Sequence, residues 1–301
     1  MMDIHALQQQ FAASRFLSFD QNNGLTRAHI KTEHASATIY LQGAHLTAWQ
    51  PATQQPVIFL SRKSEFAPGK PIRGGVPVAF PWFATDTRRD RIDGHPGPTH
   101  GFARIQDWAL TSASCSGQDA VLTFELGPTE LSRSMGFDHF RLGLTFTIGS
   151  EITMALTVKN EGEKPLMFEE ALHSYFCVTD IHEVSVSGLE LTSYLDKTDE
   201  FKVKPASQAP IRFTGMVDRV YENTHATCTI YDGTVKRRIT VRKSNSDTTI
   251  VWNPWKEMPD LGPWEWHEMV AVETANAGKN AVTLAPGASH TMSATVSVEK
   301  A

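Results

Sequence analysis

Cysteine is scarce in this chain. Cys115, Cys177 and Cys228 are its only three, far apart, odd in number and without a C-x-x-C pair. That pattern excludes a disulfide framework or a zinc ribbon and suits reduced, structural thiols. Long apolar runs are missing as well. Nothing approaches the roughly 18 residues of a membrane-spanning helix, so no membrane partner is expected. The opening MMDIHALQQQFAASRF has an early Asp and no apolar core, and does not read as a secretory signal. A cytoplasmic protein is therefore expected. Basic charge is in deficit: 28 Lys and Arg against 33 Asp and Glu leave a net charge of −5. A general nucleic-acid binder needs a basic surface, so no nucleic-acid partner is expected.

Signatures of cofactor chemistry are absent too. No G-x-G-x-x-G opens a βαβ unit, and neither G-x-x-x-x-G-K-[ST] nor G-x-S-x-G occurs. His182-Glu183 and His267-Glu268 each begin like H-E-x-x-H, and neither is followed by the second histidine. His95 and His100 frame HPGPTH, with no further ligand evident. Neither a cofactor nor a metal is expected.

What the chain has is apolar substance and alternation. Hydrophobic residues make up 41% and charged residues 20%, enough for a sizeable core. In HFRLGLTFTI, Phe140, Leu142, Leu144, Phe146 and Ile148 share one parity, so one face of a strand is buried. Gly149-Ser150 follows as a turn. Ile152, Met154, Leu156 and Val158 then alternate again, which predicts an antiparallel hairpin. The pattern recurs at Leu122–Leu126, at Cys228 and Ile230 with Ile239 and Val241, and at Val282 and Leu284 followed by Met292–Val298. Helix is predicted only for His5–Phe16 and for Thr129–Met135. Many antiparallel strands with little helix imply packed sheets, each burying its apolar face on another. The reading is all-β: one large β-sandwich domain over residues 1–301, with a peripheral N-terminal segment and no partner subunit. The stretch TDTRRDRIDGHPGPT (85–99) reads as a long exposed loop.

Four segments do not suit ordinary strands. GKPIRGGVPVAFPWF (69–83) sets Arg73 before two glycines, where backbone and ligand can approach closely. A guanidinium there is a planar donor array for a phosphate or for sugar hydroxyls, or simply half of a surface ion pair. THGFARIQDW (99–108) flanks a turn with His100 and Arg104. FEEALHSYFCV (168–178) buries the titratable His173 among apolar residues, which is equally the pattern of a core histidine bonded to a carbonyl. VWNPWKEMPDLGPWEWHEMVAVETANA (251–277) holds Trp252, Trp255, Trp264 and Trp266, four of the seven tryptophans, and ends with Glu273 in an apolar strand. Aromatic rings suit sugar faces and also fill cores. A buried carboxylate is uncommon unless paired or functional. Unperturbed values of about 6.5 for His and about 4.3 for Glu would give a protonated acid and an ionised base near neutrality.

Together the segments resemble the aldose 1-epimerase superfamily, and within it the hexose-6-phosphate mutarotases. GAHLTAWQP (43–51), IRGGVPVAFPWF (72–83), HGFAR (100–104), ALHSYF (171–176), YLDK (194–197), DRVY (218–221), VWNPW (251–255) and VETAN (272–276) run in family order over nearly the whole chain. The resemblance implies a galactose-mutarotase-like antiparallel β-supersandwich with few short helices. It also implies exchange of the α and β anomers of a hexose 6-phosphate, a small-molecule partner, without cofactor or metal. His173 matches the general acid and Glu273 the general base. His100 matches a contact to the sugar oxygens, Arg73 and Arg104 the arginines at the substrate's anionic end, and Asp196 an acid holding sugar hydroxyls. Thr99 departs from the pattern, where Gln is common. Arg88, Arg89 and Arg91 either extend the phosphate contact or are a solvated face. Two other functions fit the same motifs: epimerisation of unphosphorylated sugars, and binding of sugar phosphates without catalysis.

Overall fold

The computed structural model describes residues 4–85 and 97–300. Arg88, Arg89, Arg91 and His95 lie outside the described residues, so the readings made on them stay with the sequence. Elsewhere the alternation takes the expected form. Phe140, Leu142, Leu144, Phe146 and Ile148 are each at most 1% exposed. Their strand, Phe140–Ile148, pairs antiparallel with Ile152–Asn160, with Ile148 opposite Ile152. Both belong to a nine-stranded sheet that also holds the Cys228–Asp232 and Arg237–Ser244 hairpin. A four-stranded sheet covers residues 17–51. The buried faces of the sheets meet in one apolar cluster that runs from Leu7 to Val296.

Helix is as sparse as expected. Among the described residues the α-helices are Ile4–Gln10 and Glu130–Ser134. The first is shorter than the predicted 5–16, and it seats Leu7 in the core. The second begins with a reciprocal cap. Ser132 N donates to Thr129 Oγ1 at 3.1 Å, and Thr129 N donates to Ser132 Oγ at 2.8 Å. No helix among the described residues is long and apolar enough to cross a membrane. All three thiols are free, with Cys115 exposed and Cys228 buried.

The last two alternating runs are not partners of each other. Val282–Leu284 does not turn back onto Ser289–Lys300. It pairs with Leu166–Phe168, while Ser289–Lys300 lies between Arg237–Ser244 and Ile152–Asn160. Alternation sets which face a strand buries. It carries no information about the neighbouring strand.

The eight-stranded sheet organises the functional side. In order its strands are Lys202–Lys204, Tyr194–Asp196, Val217–Glu222, Thr248–Asn253, Met269–Asn276, Glu170–Leu172 and Val78–Ala79, with Tyr175–Cys177 also laid against Met269–Asn276. Leu172 is opposite Thr274 and Tyr175 is opposite Ala271. The same register carried through the break between them sets His173 opposite Glu273. Glu273 is opposite Ile250 on its other side, and Val220 follows in that row. Two residues along, on the same face, Tyr175, Ala271, Trp252 and Asp218 form the next row. A separation of 100 positions in sequence thus becomes one rung of a ladder.

Candidate active site

The two rows form the floor of a cup of about 160 Å3. His173, Glu273, Tyr175, Trp252, Asp218 and Ile250 line it from the sheet, and Arg73, Phe83, His100 and Lys197 complete the wall. His173 Nε2 lies 3.3 Å from Glu273 Oε1, with the two side chains 10% and 1% exposed. His173 N donates to Pro77 O at 3.0 Å, and Val272 N donates to Ser174 O at 3.2 Å. These bonds hold both partners to the ladder. The imidazole stacks on Tyr175 at 4.8 Å and 11°, and meets the edge of His100 at 5.1 Å. Glu273 Oε2 is buried without a partner, so half of the carboxyl is available to a ligand.

Burial changes the protonation expected from the sequence. Desolvation pushes Glu273 well above the ordinary carboxylate range, and the nearby Lys197 charge pulls it back. Desolvation likewise pushes His173 well below its ordinary value, assisted by His100, Arg104 and Arg73. The unperturbed values therefore do not hold, because charge is costly in a dry pocket. In the empty cup the neutral forms of both groups are favoured. His100 is pushed down to about 3, first by burial and then by Arg104 and Lys197. Its Nδ1 accepts from Ala84 N at 3.1 Å. A neutral ring with Nδ1 so engaged carries its proton on Nε2, as a donor.

Arg73 reaches the wall through a tight turn. Gly74 and Gly75 have φ of +94° and +68°, and a Cβ on Gly74 would stand 2.7 Å from Phe59 O. Only glycine passes there without displacing backbone. Arg73 Nη1 donates to Tyr175 Oη at 2.8 Å, and Arg73 Nε donates to Asp260 Oδ2 at 2.7 Å. Asp260 belongs to the tryptophan-rich segment, which is pinned by Ser61: its Oγ donates to Asp260 O at 3.1 Å. Arg104 is not among the cup-lining residues. Its Nη2 donates to Thr99 O at 2.7 Å, its Nε is buried without a partner, and no carboxylate among the described residues forms an ion pair with it. Burial pulls it down to about 10, still a cation at neutral pH.

Residues 26–297 match the family model described as aldose 1-epimerase. The chain belongs to that family. A relative from Escherichia coli named "Putative glucose-6-phosphate 1-epimerase" is 36% identical over 252 residues, covering 81% of this chain and 80% of its own. A Salmonella typhimurium crystal structure described as a putative mutarotase superposes with a TM-score of 0.88 at 30% identity, covering 99% of this chain and 100% of that one. Galactose 1-epimerase from Lactobacillus acidophilus shares the fold, with a TM-score of 0.72 at 10% identity over 94% of this chain and 98% of that one. The all-β, galactose-mutarotase-like architecture expected from the motifs is the one found.

Within this aldose 1-epimerase fold, four of the six residues singled out from the sequence line one cup: His173, Glu273, Arg73 and His100. Arg104 and Asp196 do not. Asp196 accepts from Thr198 N at 3.0 Å and from Thr198 Oγ1 at 2.6 Å, closing its own turn. The acid that joins Glu273 in the cup is Asp218, from the DRVY motif. The reason is parity. In YLDK, Leu195 and Lys197 share one face of the strand and Tyr194 and Asp196 the other. Of the four tryptophans offered as sugar platforms, only Trp252 lines the cup. Trp255 packs on Trp266, and Trp264 is 66% exposed. His182 and His267, from the two interrupted H-E motifs, come together with Asp180 outside the cup, their donor atoms within 4.8 Å of one another.

Proposed function

We propose that the protein interconverts the α and β anomers of a hexose 6-phosphate, glucose 6-phosphate in the first place, by acid–base opening and closure of the pyranose ring. The observation that carries this reading is the His173–Glu273 pair, 3.3 Å apart on the floor of a cup walled by Arg73. A matched acid and base within reach of one sugar ring is more than binding alone requires. In the forward step the Glu273 proton passes to His173 Nε2 across their 3.3 Å contact, and the carboxylate so formed takes the proton of the C1 hydroxyl. The C1–O5 bond breaks as His173 gives its Nε2 proton to O5, and C1 becomes an aldehyde. Rotation about C1–C2 presents the other face, and the same transfers in reverse close the ring. Protons are returned at each cycle, and only proton transfer is needed. His100 Nε2–H and Asp218 hold the sugar oxygens between them. The residues assigned to these steps all belong to one chain, so the proposed chemistry asks nothing of a partner subunit.

The names of the relatives support the phosphate, and so does Arg104. Arg73 already has the Asp260 carboxylate as its counter-ion, whereas Arg104 has an unpaired Nε and no counter-ion among the described residues. Neutral sugars are the second reading, and the engaged Arg73 is the observation that favours it. The test is anomer exchange, followed by NMR on freshly dissolved α-glucose 6-phosphate and on α-glucose. Acceleration over buffer with preference for the phosphate is expected, and no acceleration of either sugar overturns the proposal. Arg104→Ala is expected to raise KM for glucose 6-phosphate about 10- to 100-fold, the equivalent of a charge-assisted hydrogen bond of about 1.5–3 kcal/mol. KM for glucose is expected to stay put. Equal effects on both sugars would remove Arg104 from the phosphate site.

A further inference from the structure

Lys197 is in the cup, and the proton transfers above leave it unused. It stands one residue past Tyr194–Asp196, where Asp196 is opposite Arg219, so the register sets Lys197 opposite Asp218. Its Nζ is 3.1 Å from Asp218 Oδ2, and the two side chains are 23% and 13% exposed. The capped Asp196–Thr198 turn holds its backbone. Its ammonium also lies 5.9 Å from the centre of the Phe83 ring, which packs on His100 at 4.8 Å. A surface lysine is ordinarily mobile and solvated. This one is held by a carboxylate, a capped turn and an aromatic face.

The cup holds two carboxyl groups, Glu273 and Asp218, within a small desolvated volume. Like charges so placed disfavour each other's ionisation. The groups facing Glu273 are His173 across the ladder, Asp218 and Lys197 from the neighbouring row, and His100, Tyr175 and Arg73 on the wall. The arginines act chiefly on the histidines. Lys197 is the charge that favours a Glu273 carboxylate, and Asp218 opposes it.

We propose that Lys197 is a positioning residue for anomer exchange: its ammonium fixes and neutralises Asp218, sparing Glu273 an uncompensated like charge so that it can serve as the working base. The inference rests on the acid–base reading of the cup. It assigns Lys197 to the base and away from the phosphate.

The test compares Lys197→Met and Lys197→Arg with the unaltered protein on glucose 6-phosphate and on glucose, from pH 5 to 9. Removal of an opposite charge at this range is expected to move the acid limb of kcat/KM up by about one unit or more in Lys197→Met. The same change is expected to lower kcat about tenfold at neutral pH, with KM changed less than about threefold for either sugar. Lys197→Arg restores the limb. A rise in KM confined to glucose 6-phosphate overturns the inference, because Lys197 would then grip the phosphate. An equal loss at every pH overturns it as well, because the role would then be structural. If the unaltered protein proves inactive on both sugars, the proposed function fails. The Glu273 titration in the empty protein, read by isotope-edited infrared spectroscopy, then decides this inference by itself. An upward movement in Lys197→Met supports it, and an unchanged titration refutes it.

Discussion

Replacing Glu273 by Gln is expected to slow anomer exchange by about 10²–10⁴-fold, the usual worth of one positioned acid–base group. The amide has the volume and shape of the carboxyl, so the strand Met269–Asn276 and the contact with His173 can persist. It cannot take a proton from the C1 hydroxyl. Calorimetry on the variant should therefore find glucose 6-phosphate still bound, with affinity within about tenfold of the unaltered protein. Retention of more than about a tenth of the rate would remove Glu273 from the proton path.

The same variant is expected to be no less stable, and more stable as pH rises. Burial holds the folded-state value of Glu273 well above the ordinary 4.5. Between 4.5 and that higher value, the unfolded chain has released its proton and the folded chain has kept it. The unfolded state then binds fewer protons, so stability falls with rising pH across this window. The glutamine side chain has no proton to release. Melting curves for the two proteins should coincide below the ordinary carboxylate range and separate above it, with Glu273→Gln the higher. A site that lowers stability to hold a functional group is a familiar exchange.

His173 and Glu273 are legible in the sequence because each puts a titratable group into an apolar strand. Their meeting is not. It depends on the register that sets Leu172 opposite Thr274 and Tyr175 opposite Ala271, and register across a hundred residues leaves no local mark. Alternation, in contrast, is written residue by residue. That is why the buried faces of Phe140–Ile148 and Ile152–Asn160 can be named from it, while the partner of Val282–Leu284 cannot. YLDK shows the limit most sharply. The motif draws attention to the acid, yet a strand's parity turns Asp196 to one side and Lys197 to the other. DRVY stands out only as a motif, although its Asp218 lines the cup beside Glu273. A search for charged residues that share strand parity with apolar neighbours would mark Lys197 beside Leu195. Asp260 sits in a segment whose signal is its tryptophans, so its bond to Arg73 has no trace there. The protonation states cannot be read at all, because they follow from desolvation, which is a property of the closed cup.

Gly101→Ala is expected to be the most damaging small change near the site. Gly101 has φ of +75° and follows His100, itself at +62°. Its backbone lies directly against that of Phe80: a Cβ would fall 1.9 Å from Phe80 O and 2.3 Å from Phe80 C. Phe102 N donates to Phe80 O at 3.0 Å and Phe80 N donates to His100 O at 3.2 Å, so neither side can retreat without losing a hydrogen bond. The left-handed conformation alone costs a non-glycine residue about 1–2 kcal/mol. Displacing packed backbone adds about 1–3 kcal/mol, for a total of roughly 2–5 kcal/mol. In a chain of this size that corresponds to a fall of roughly 3–8 °C in Tm. Gly69 supplies the control. Its φ is +74°, and a Cβ there meets nothing within 4 Å. Gly69→Ala should show the conformational cost of about 1–2 kcal/mol and no more. If the two alanines lower Tm equally, the close approach at Phe80 is not what holds His100 over the cup. If Gly101→Ala alone is severe and the folded remainder loses activity, the turn and the donor it carries are one structural unit.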